Sequence, residues 1–497
     1  MWITFAFLLT LCLTVYFYFR HRYRYWKNRN IPFIVPKLIV GNIVEIFMGK
    51  YSPAKYVAHL CNEREGPYVG FFILHKPYLA IKDPGIIKRI LVRDFQKFPD
   101  KIFINDKSID PTFSNSLLSL GNAQWRTVRT RLSRIFSPAK VKAMQVYTER
   151  CAKSLRLYID GQLNERLNLK DLTTRFSTEV VFSCVFGVNS NCFKEKQSMC
   201  NDYAHKIFPK AYVGLFKGFS YIFLPQLVKI FKYQFFDPTA CDFFQNVFSD
   251  TIKHREISGV RRNDLVDILI DIKNQSGSLD NNALLAQAIA FLGVGHETIS
   301  AIISLTIYEL CINQDIQNRI REEIETVVGE DDVTSHTIDN LKFLNMVVCE
   351  SLRKYPVIPF IQRKCVEDYF IPETGAVLER GTSIIIPTHW LHYNPEFFND
   401  PYKYNPDRFN GDTSIPIDPF VYLPFSTGPR ACLGRRFALM SIKVCLIYLI
   451  RAFKIERDAA TKGQLNFGAA HALDPKEGIP VRFQRIEQSY AGTLNKH

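Results

Sequence analysis

Phe425-Ser426-Thr427-Gly428-Pro429-Arg430-Ala431-Cys432-Leu433-Gly434 sets one cysteine among an aromatic ring, two glycines and an arginine at fixed offsets. An aromatic contact at Phe425, a kink-tolerant Gly428, a cation at Arg430 and a Gly434 that lets backbone approach closely fit around one sulfur ligand. A cysteine elsewhere in this chain reads by default as a small buried hydrophobe. Cys432 in this setting reads instead as the thiolate of a haem-binding loop. The residues after it, Leu433 to Met440, read as a helix start whose free amides and positive dipole end would stabilise a thiolate.

These ten residues resemble the haem loop of the cytochrome P-450 family. The resemblance implies haem b with Cys432 as the axial ligand of the iron, Phe425, Gly428 and Gly434 shaping the loop, and Arg430 facing a haem propionate. Trp125-Arg126-Thr127-Val128-Arg129 resembles the family's W-x-x-x-R, which implies that Trp125 and Arg129, one helical turn apart, face a propionate as well. Arg363 matches a further propionate arginine. Glu350 and Arg353 match E-x-x-R, continued as Lys354-Tyr355-Pro356. By spacing alone that pair would be a surface salt bridge worth little. The resemblance implies a buried brace for the loop instead, completed by Arg408 of Pro406-Asp407-Arg408-Phe409, where Asp407 stands in place of the usual Glu.

Between these motifs, a helical pattern from about Asn282 to Cys311 puts Leu284, Gln287, Phe291, Val294, Thr298 and Ile302 on one face. Taken alone, the stripe reads as core. The resemblance places this helix across the distal side of the haem, with Val294-Gly295-His296-Glu297-Thr298 as its motif. Thr298 would then hydrogen-bond the oxygen species being activated, and Glu297 would relay protons to it. The competing reading has Thr298 satisfying a carbonyl one turn back and Glu297 as a solvated charge. Gly295 in mid-helix costs about 1 kcal/mol against alanine, which fits a ligand that needs the space or a kinked backbone. Val294 replaces the usual alanine or glycine and narrows the pocket, and Ile299 replaces a common Thr or Ser. His296 occupies a position the motif leaves free and is not assigned as a ligand.

A chain of 497 residues, 47% hydrophobic and 22% charged, can bury a large core. Length alone suggests two to three domains, whereas the resemblance implies one large unit. Twelve scattered cysteines without a CxxC pair suggest neither a zinc site nor a disulfide framework, which fits a reducing compartment. The net charge of +15 comes with no nucleic-acid motif. Its excess sits at Arg20, Arg22, Arg24, Lys27 and Arg29, and again at Arg126, Arg131, Arg134, Lys140 and Lys142. Those positions point to a membrane surface and to docking of an acidic electron donor.

Trp2 to Phe19 carry no charge over 18 positions, enough helix to cross about 27 Å of hydrocarbon. No basic segment precedes this stretch and no small-residue cleavage site follows it, so it reads as an uncleaved anchor. The arginines come after it, which leaves the bulk of the chain in the cytosol. Residues 1–19 are thus expected as anchor, 20–45 as a basic, proline-rich hinge, and 46–497 as the haem-binding catalytic domain. Tyr68 to Leu74 and Ser383 to Pro387 read as strands and most of the rest as helix. The expected class is mainly α with small β-sheets (α+β): the P-450 fold with an N-terminal transmembrane helix.

The resemblance implies a membrane-bound monooxygenase of the endoplasmic reticulum that inserts one oxygen atom from O2 into a lipophilic substrate, foreign or endogenous. Electrons would come from NADPH through a flavoprotein reductase, since no G-x-G-x-x-G loop is present. Cytochrome b5 is left open as a second donor. Tyr25-Trp26-Lys27-Asn28-Arg29, the haem loop and Glu297-Thr298 look like the insect family-six branch of the animal microsomal enzymes. Two rival readings stay open: an oxygen-independent rearrangement on the same fold, and a non-catalytic haem sensor or carrier. Pocket candidates are Pro111 to Leu120, the 284–298 helix face, Val357 to Ile361 and Ala469 to Leu473.

Overall fold

The structure, a computed structural model, describes residues 1–163, 165–194, 198–208, 211–262, 264–276, 281–329, 332–411, 416–459, 465 and 478–486. Its first element, helix α1 (Trp2–Arg22), has no buried residue and continues past Phe19, taking Arg20 and Arg22 into its last turn. A helix apolar on every side, touching the rest of the described chain where Tyr18 and Phe19 meet His75 at its end, presents the surface that lipid accommodates. The proline-punctuated segment that follows is laid along a sheet. Trp26 is fully buried and its Nε1 donates to Phe71 O at 3.2 Å. A Cβ on Gly70 would lie 2.7 Å from the indole, so the ring needs glycine beneath it.

That sheet has strands β1 (Tyr68–Ile73), β2 (Lys76–Ile81), β3 (Ile361–Lys364) and β4 (Ser383–Ile386), in the spatial order β1-β2-β4-β3. The pairs β1/β2 and β3/β4 are antiparallel, and β2/β4 is parallel. Two smaller sheets, of three and two strands, complete the β structure of the described residues.

Helices make up most of the remainder: α2 (Asn122–Leu132), α3 (Pro138–Asp160), α4 (Leu169–Val181), α5 (Ala211–Phe223), α6 (Asn281–Ile312), α7 (Lys342–Lys354), α8 (Thr388–Tyr393) and α9 (Arg435–Ala452), with shorter helices between them. Helix α3 buries Val141, Met144, Thr148, Cys151, Ala152, Leu155 and Ile159, an apolar stripe at three-to-four spacing. Helix α6 is longer than α1 and, like it, apolar enough to cross a membrane, but it is mostly buried: it is the core helix against which α4 and α9 pack. After it, a helix starts at Gln314 and ends before Gly329, whose φ of +57° stops it. None of the twelve cysteines forms a disulfide among the described residues. The pocket candidate Ala469 to Leu473 lies outside the described residues.

Candidate active site

The loop before α9 is shaped by two left-handed residues, Ser426 (φ +58°) and Gly428 (φ +75°). A Cβ on Gly428 would sit 2.0 Å from Leu91 O, which excludes every other residue type. The turn closes when Ala431 N–H donates to Gly428 O at 3.0 Å and Cys432 N–H to Phe425 O at 2.9 Å. Arg435 lies over the Phe425 ring at 5.9 Å. Gly434 is the N-cap of α9, and a Cβ there would meet no protein atom within 4 Å. The glycine thus leaves one side of the loop open at Cys432.

Cys432 is accessible by surface area, yet burial is the largest influence on its titration. Its open side therefore faces a recess within the protein rather than the outer surface. Burial pushes the thiol up, against the Gly434 amide, Arg129, Lys101 and Arg435, which pull it down. The helix start alone does not make the thiolate favoured. The amide and the cations reduce the cost of ionisation without overcoming burial.

Around this recess, four cations meet. Arg430 is 7% exposed and stacks over Trp125 at 4.2 Å. Its Nε donates to Pro99 O and its Nη2 to Leu120 O, both at 2.9 Å, while Nη1 has no partner. Arg363, on β3, is 1% exposed; Nη1 donates to Gln362 O at 2.8 Å, and Nε and Nη2 have no partner. Burial pushes Arg363 down to about 10, and burial with the neighbouring Arg363 charge pushes Arg430 to about 9. Arg129, half-buried on α2, is lowered by burial and raised by Cys432. The fourth is Lys101, pushed down to about 7 by burial and by Arg363 and Arg430. No motif marks Lys101 in the sequence.

Buried donors without acceptors each cost about 1–3 kcal/mol, and a like-charged cluster adds repulsion. A dianion that accepts from Arg363 and Arg430 beside the sulfur would relieve both terms. The two carboxylates and the iron of haem b suit that donor set, and the open side at Gly434 suits close approach of its flat ring.

Behind the loop, Glu350 and Arg353 of α7 are fully buried. Arg353 donates to both Glu350 oxygens, Nε at 2.7 Å and Nη2 at 2.9 Å, and its Nη1 donates to His392 O at 2.8 Å. Arg408 Nε reaches Glu350 Oε1 at 3.2 Å and Asn405 N–H reaches the same oxygen at 2.9 Å. The cluster is tied to the loop through a residue that sequence reasoning missed. His392 of α8 bonds Arg353 O through Nδ1 at 3.0 Å and accepts from Leu423 N–H through Nε2 at 3.0 Å. Those two bonds fix the neutral tautomer, and burial pushes the imidazole down to about 3.

On α6 the expected relay residues are engaged elsewhere. Thr298 Oγ1 donates to Val294 O at 2.9 Å, one turn back. Glu297 is paired with Lys170 of α4 at 2.7 Å, and Lys170 was not foreseen. A Cβ on Gly295 would lie 3.4 Å from Val181 on α4, an ordinary contact, so packing alone does not require glycine there. His296 is buried and bonded to Leu292 O at 2.9 Å, with Glu297 3.9 Å from its other ring nitrogen. Within the predicted stripe, Leu284, Gln287 and Ile302 are buried, while Phe291, Val294 and Thr298 stay half-exposed. Mid-helix exposure in a core helix marks an interior space beside it.

The model of the family described as Cytochrome P450 matches residues 32–479. Cytochrome P450 6l1 of Blattella germanica is 34% identical over 440 residues, covering 88% of this chain and 87% of that protein. Cytochrome P450 6k1 of the same insect is 33% identical over 485 residues, 92% of each. Probable cytochrome P450 6a13 of Drosophila melanogaster is 32% identical over 426 residues, 85% of this chain and 86% of its own. These similarities establish that the chain belongs to the cytochrome P450 family of haem-thiolate monooxygenases, with relatives among the family-six members of insects.

Proposed function

We propose that this P450 is anchored by α1 in the endoplasmic reticulum membrane and oxidises lipophilic substrates, foreign or endogenous, on the cytosolic side, with electrons from NADPH passed by a flavoprotein reductase. The anchor is 1–19, the hinge 20–45 and the catalytic unit 46–497. The observation that carries the site assignment is the incomplete cation cluster beside Cys432. Cys432 would hold the iron through sulfur, and the charge of a bound metal would favour the thiolate against the burial that lifts the thiol. Arg363, Arg430 and Arg129, with Trp125, hold the propionates. Phe425, Gly428 and Gly434 shape the loop, and Glu350, Arg353 and Arg408 brace it. When bound, haem supplies the redox-active iron at which O2 is reduced. Exposed Arg126, Arg134 and Lys142 offer an acidic reductase its docking face, and cytochrome b5 is a second candidate for it.

The Thr298 hydroxyl donates its hydrogen bond to Val294 O but keeps lone pairs that accept. To donate toward the reacting oxygen it must leave that carbonyl, and Glu297 must turn from Lys170 to hand on a proton. The same geometry favours a second reading: an oxygen-independent rearrangement, or a haem sensor or carrier, needs no relay and loses nothing when both side chains are engaged.

Two measurements decide. The reduced carbon monoxide complex should show a red-shifted Soret band that Cys432→His abolishes; a band unchanged in the variant removes Cys432 as ligand. With NADPH, reductase and O2, Thr298→Ala should keep its haem and its NADPH consumption but release more hydrogen peroxide per product. Coupling equal to wild type takes Thr298 out of the mechanism, and no turnover of any substrate in the wild type leaves the second reading.

A further inference from the structure

Three consecutive residues of α6 fan around the helix. Successive side chains are turned by about 100°, so His296 and Thr298 stand on opposite sides with Glu297 between them. His296 is 1% exposed, whereas Thr298 is half-exposed on the face that borders the interior space. The Glu297 carboxylate between them spans two groups. One oxygen is paired with Lys170 Nζ of α4 at 2.7 Å, and the other lies 3.9 Å from His296 Nε2.

The imidazole turns a lone pair toward that second oxygen. Nδ1 lies 2.9 Å from Leu292 O, which can only accept, so Nδ1 carries the ring proton and the neutral ring leaves Nε2 bare. Lys170 on α4, His205 on the helix Met199–Lys206 and Glu297 on its own helix are the charged and titratable groups that face the ring. Burial disfavours the imidazolium most, and Lys170 and His205 add to that, while Glu297 and the bond to Leu292 O favour it. His205 in turn lies 3.8 Å from Asp171, which accepts from Arg175 at 3.0 Å.

A proton on Nε2 would put two cations on one carboxylate. Lys170, 13% exposed on a flexible stem, can withdraw to water, and the enclosed imidazolium cannot. The contact that survives is therefore His296 Nε2–H to Glu297 Oε2. Inside that pair, moving the proton to the carboxylate cancels both buried charges. The neutral acid no longer attracts Lys170 and is free to turn to the side of Thr298.

We propose that His296 is a positioning residue for oxygen activation, which carries a proton to Glu297 and thereby frees Glu297 from Lys170. The proton goes from solvent to Nε2, from Nε2 to Oε2, and from Oε2 onward on the Thr298 side. Glu297, ionised again, returns to Lys170, and the imidazole is neutral as at the start. One proton is carried per cycle and no electron moves. The inference rests on the relay reading of Glu297 and Thr298 above, and it gives a task to the one residue that the motif leaves free.

The first measurement is hydrogen peroxide released per product in the full-length holoenzyme with NADPH and reductase, a ratio that does not depend on how fast electrons arrive. Wild-type release should fall by up to about tenfold per unit as pH is lowered from 8 to 7, because a ring that titrates below this range gains protons in that proportion. His296→Asn keeps a donor for Leu292 O but cannot carry the proton, so its ratio should be high and flat over the same range. His296→Gln serves if that variant does not fold. The second measurement needs no turnover. NMR of the histidine rings in the ferrous carbon monoxide complex should show the His296 midpoint rising in Lys170→Met and falling in Glu297→Gln. A midpoint that ignores both variants, or a His296→Asn ratio with the wild-type pH slope, overturns the inference while Thr298→Ala still uncouples. A ratio unmoved by Thr298→Ala as well overturns the relay reading, and this inference with it.

Discussion

Arg353 and Arg363 are both essentially inaccessible, at 0% and 1% exposed, and stand in consecutive elements of the chain. Every arm of Arg353 ends on a protein acceptor, two bonds to Glu350 and one to His392 O. Arg363 makes one bond and leaves Nε and Nη2 without partners. Burial and charge are the same in the two places. What separates a structural arginine from one set aside for a ligand is whether its donors are spent.

The largest effect expected from this contrast is on the brace. Arg353→Ala leaves Glu350 buried with only Arg408 and Asn405 to hold it, a loss of about 3–5 kcal/mol. The variant should lose its helical circular dichroism at a lower urea concentration and carry little haem. A variant that kept full haem and lost only turnover would show that the pair does chemistry and is not a brace.

His392 sharpens the same side. Its folded-state value of about 3 lies below the ordinary value of 6.5, so the unfolded chain binds a proton that the folded chain refuses. The stability it contributes is complete above about pH 6.5 and is lost as pH falls toward 3, at up to about 1.4 kcal/mol per unit. His296 and His389 are also lowered by burial, so the measurement is a difference. Urea midpoints of wild type should fall faster between pH 6.5 and 5 than those of His392→Asn. Parallel slopes would mean that His392 is not held neutral.

Much of both arginine sites was legible in the sequence, because they are carried by short motifs at recognisable offsets. The partners were not. Lys101, Lys170 and His392 are single residues far in sequence from what they touch, and no local pattern distinguishes them from solvated or core side chains. The ends of α6 were readable, since the pattern from about Asn282 to Cys311 falls within one residue of Asn281–Ile312. The relay at Thr298 was not, since a hydroxyl that faces a ligand and one that bonds back to its own helix have the same sequence.

On the ligand side, Arg363→Met removes donors that the protein does not use. Helical circular dichroism and its urea midpoint should stay close to wild type, while haem passes to an apoglobin acceptor about tenfold faster or more, as expected for losing one or two charge-assisted bonds of about 1.5–3 kcal/mol. A midpoint lowered as far as in Arg353→Ala, with haem release unchanged, would erase the distinction between the two arginines.

The smallest effect is expected one residue from the brace. Asp407 and Arg408 share a single turn, Pro406–Phe409, yet Arg408 reaches inward to Glu350 while Asp407 pairs outward with Arg319 at 2.9 Å, each of that pair about half exposed. An exposed pair of this kind contributes at most about 1 kcal/mol, and salt screens it. Arg319 also lies over the Phe343 ring at 3.7 Å, so it is ordered without its carboxylate partner. Asp407→Ala should therefore shift the urea midpoint slightly at low salt and less at high salt, with haem content unchanged, whereas Arg408→Ala should lower both. The Asp at 407, where the family usually carries Glu, is tolerated on this account because the position faces water and the brace does not pass through it. A loss in Asp407→Ala equal to that in Arg408→Ala, and insensitive to salt, would extend the brace to the surface and make the shorter side chain a cost that this chain meets elsewhere.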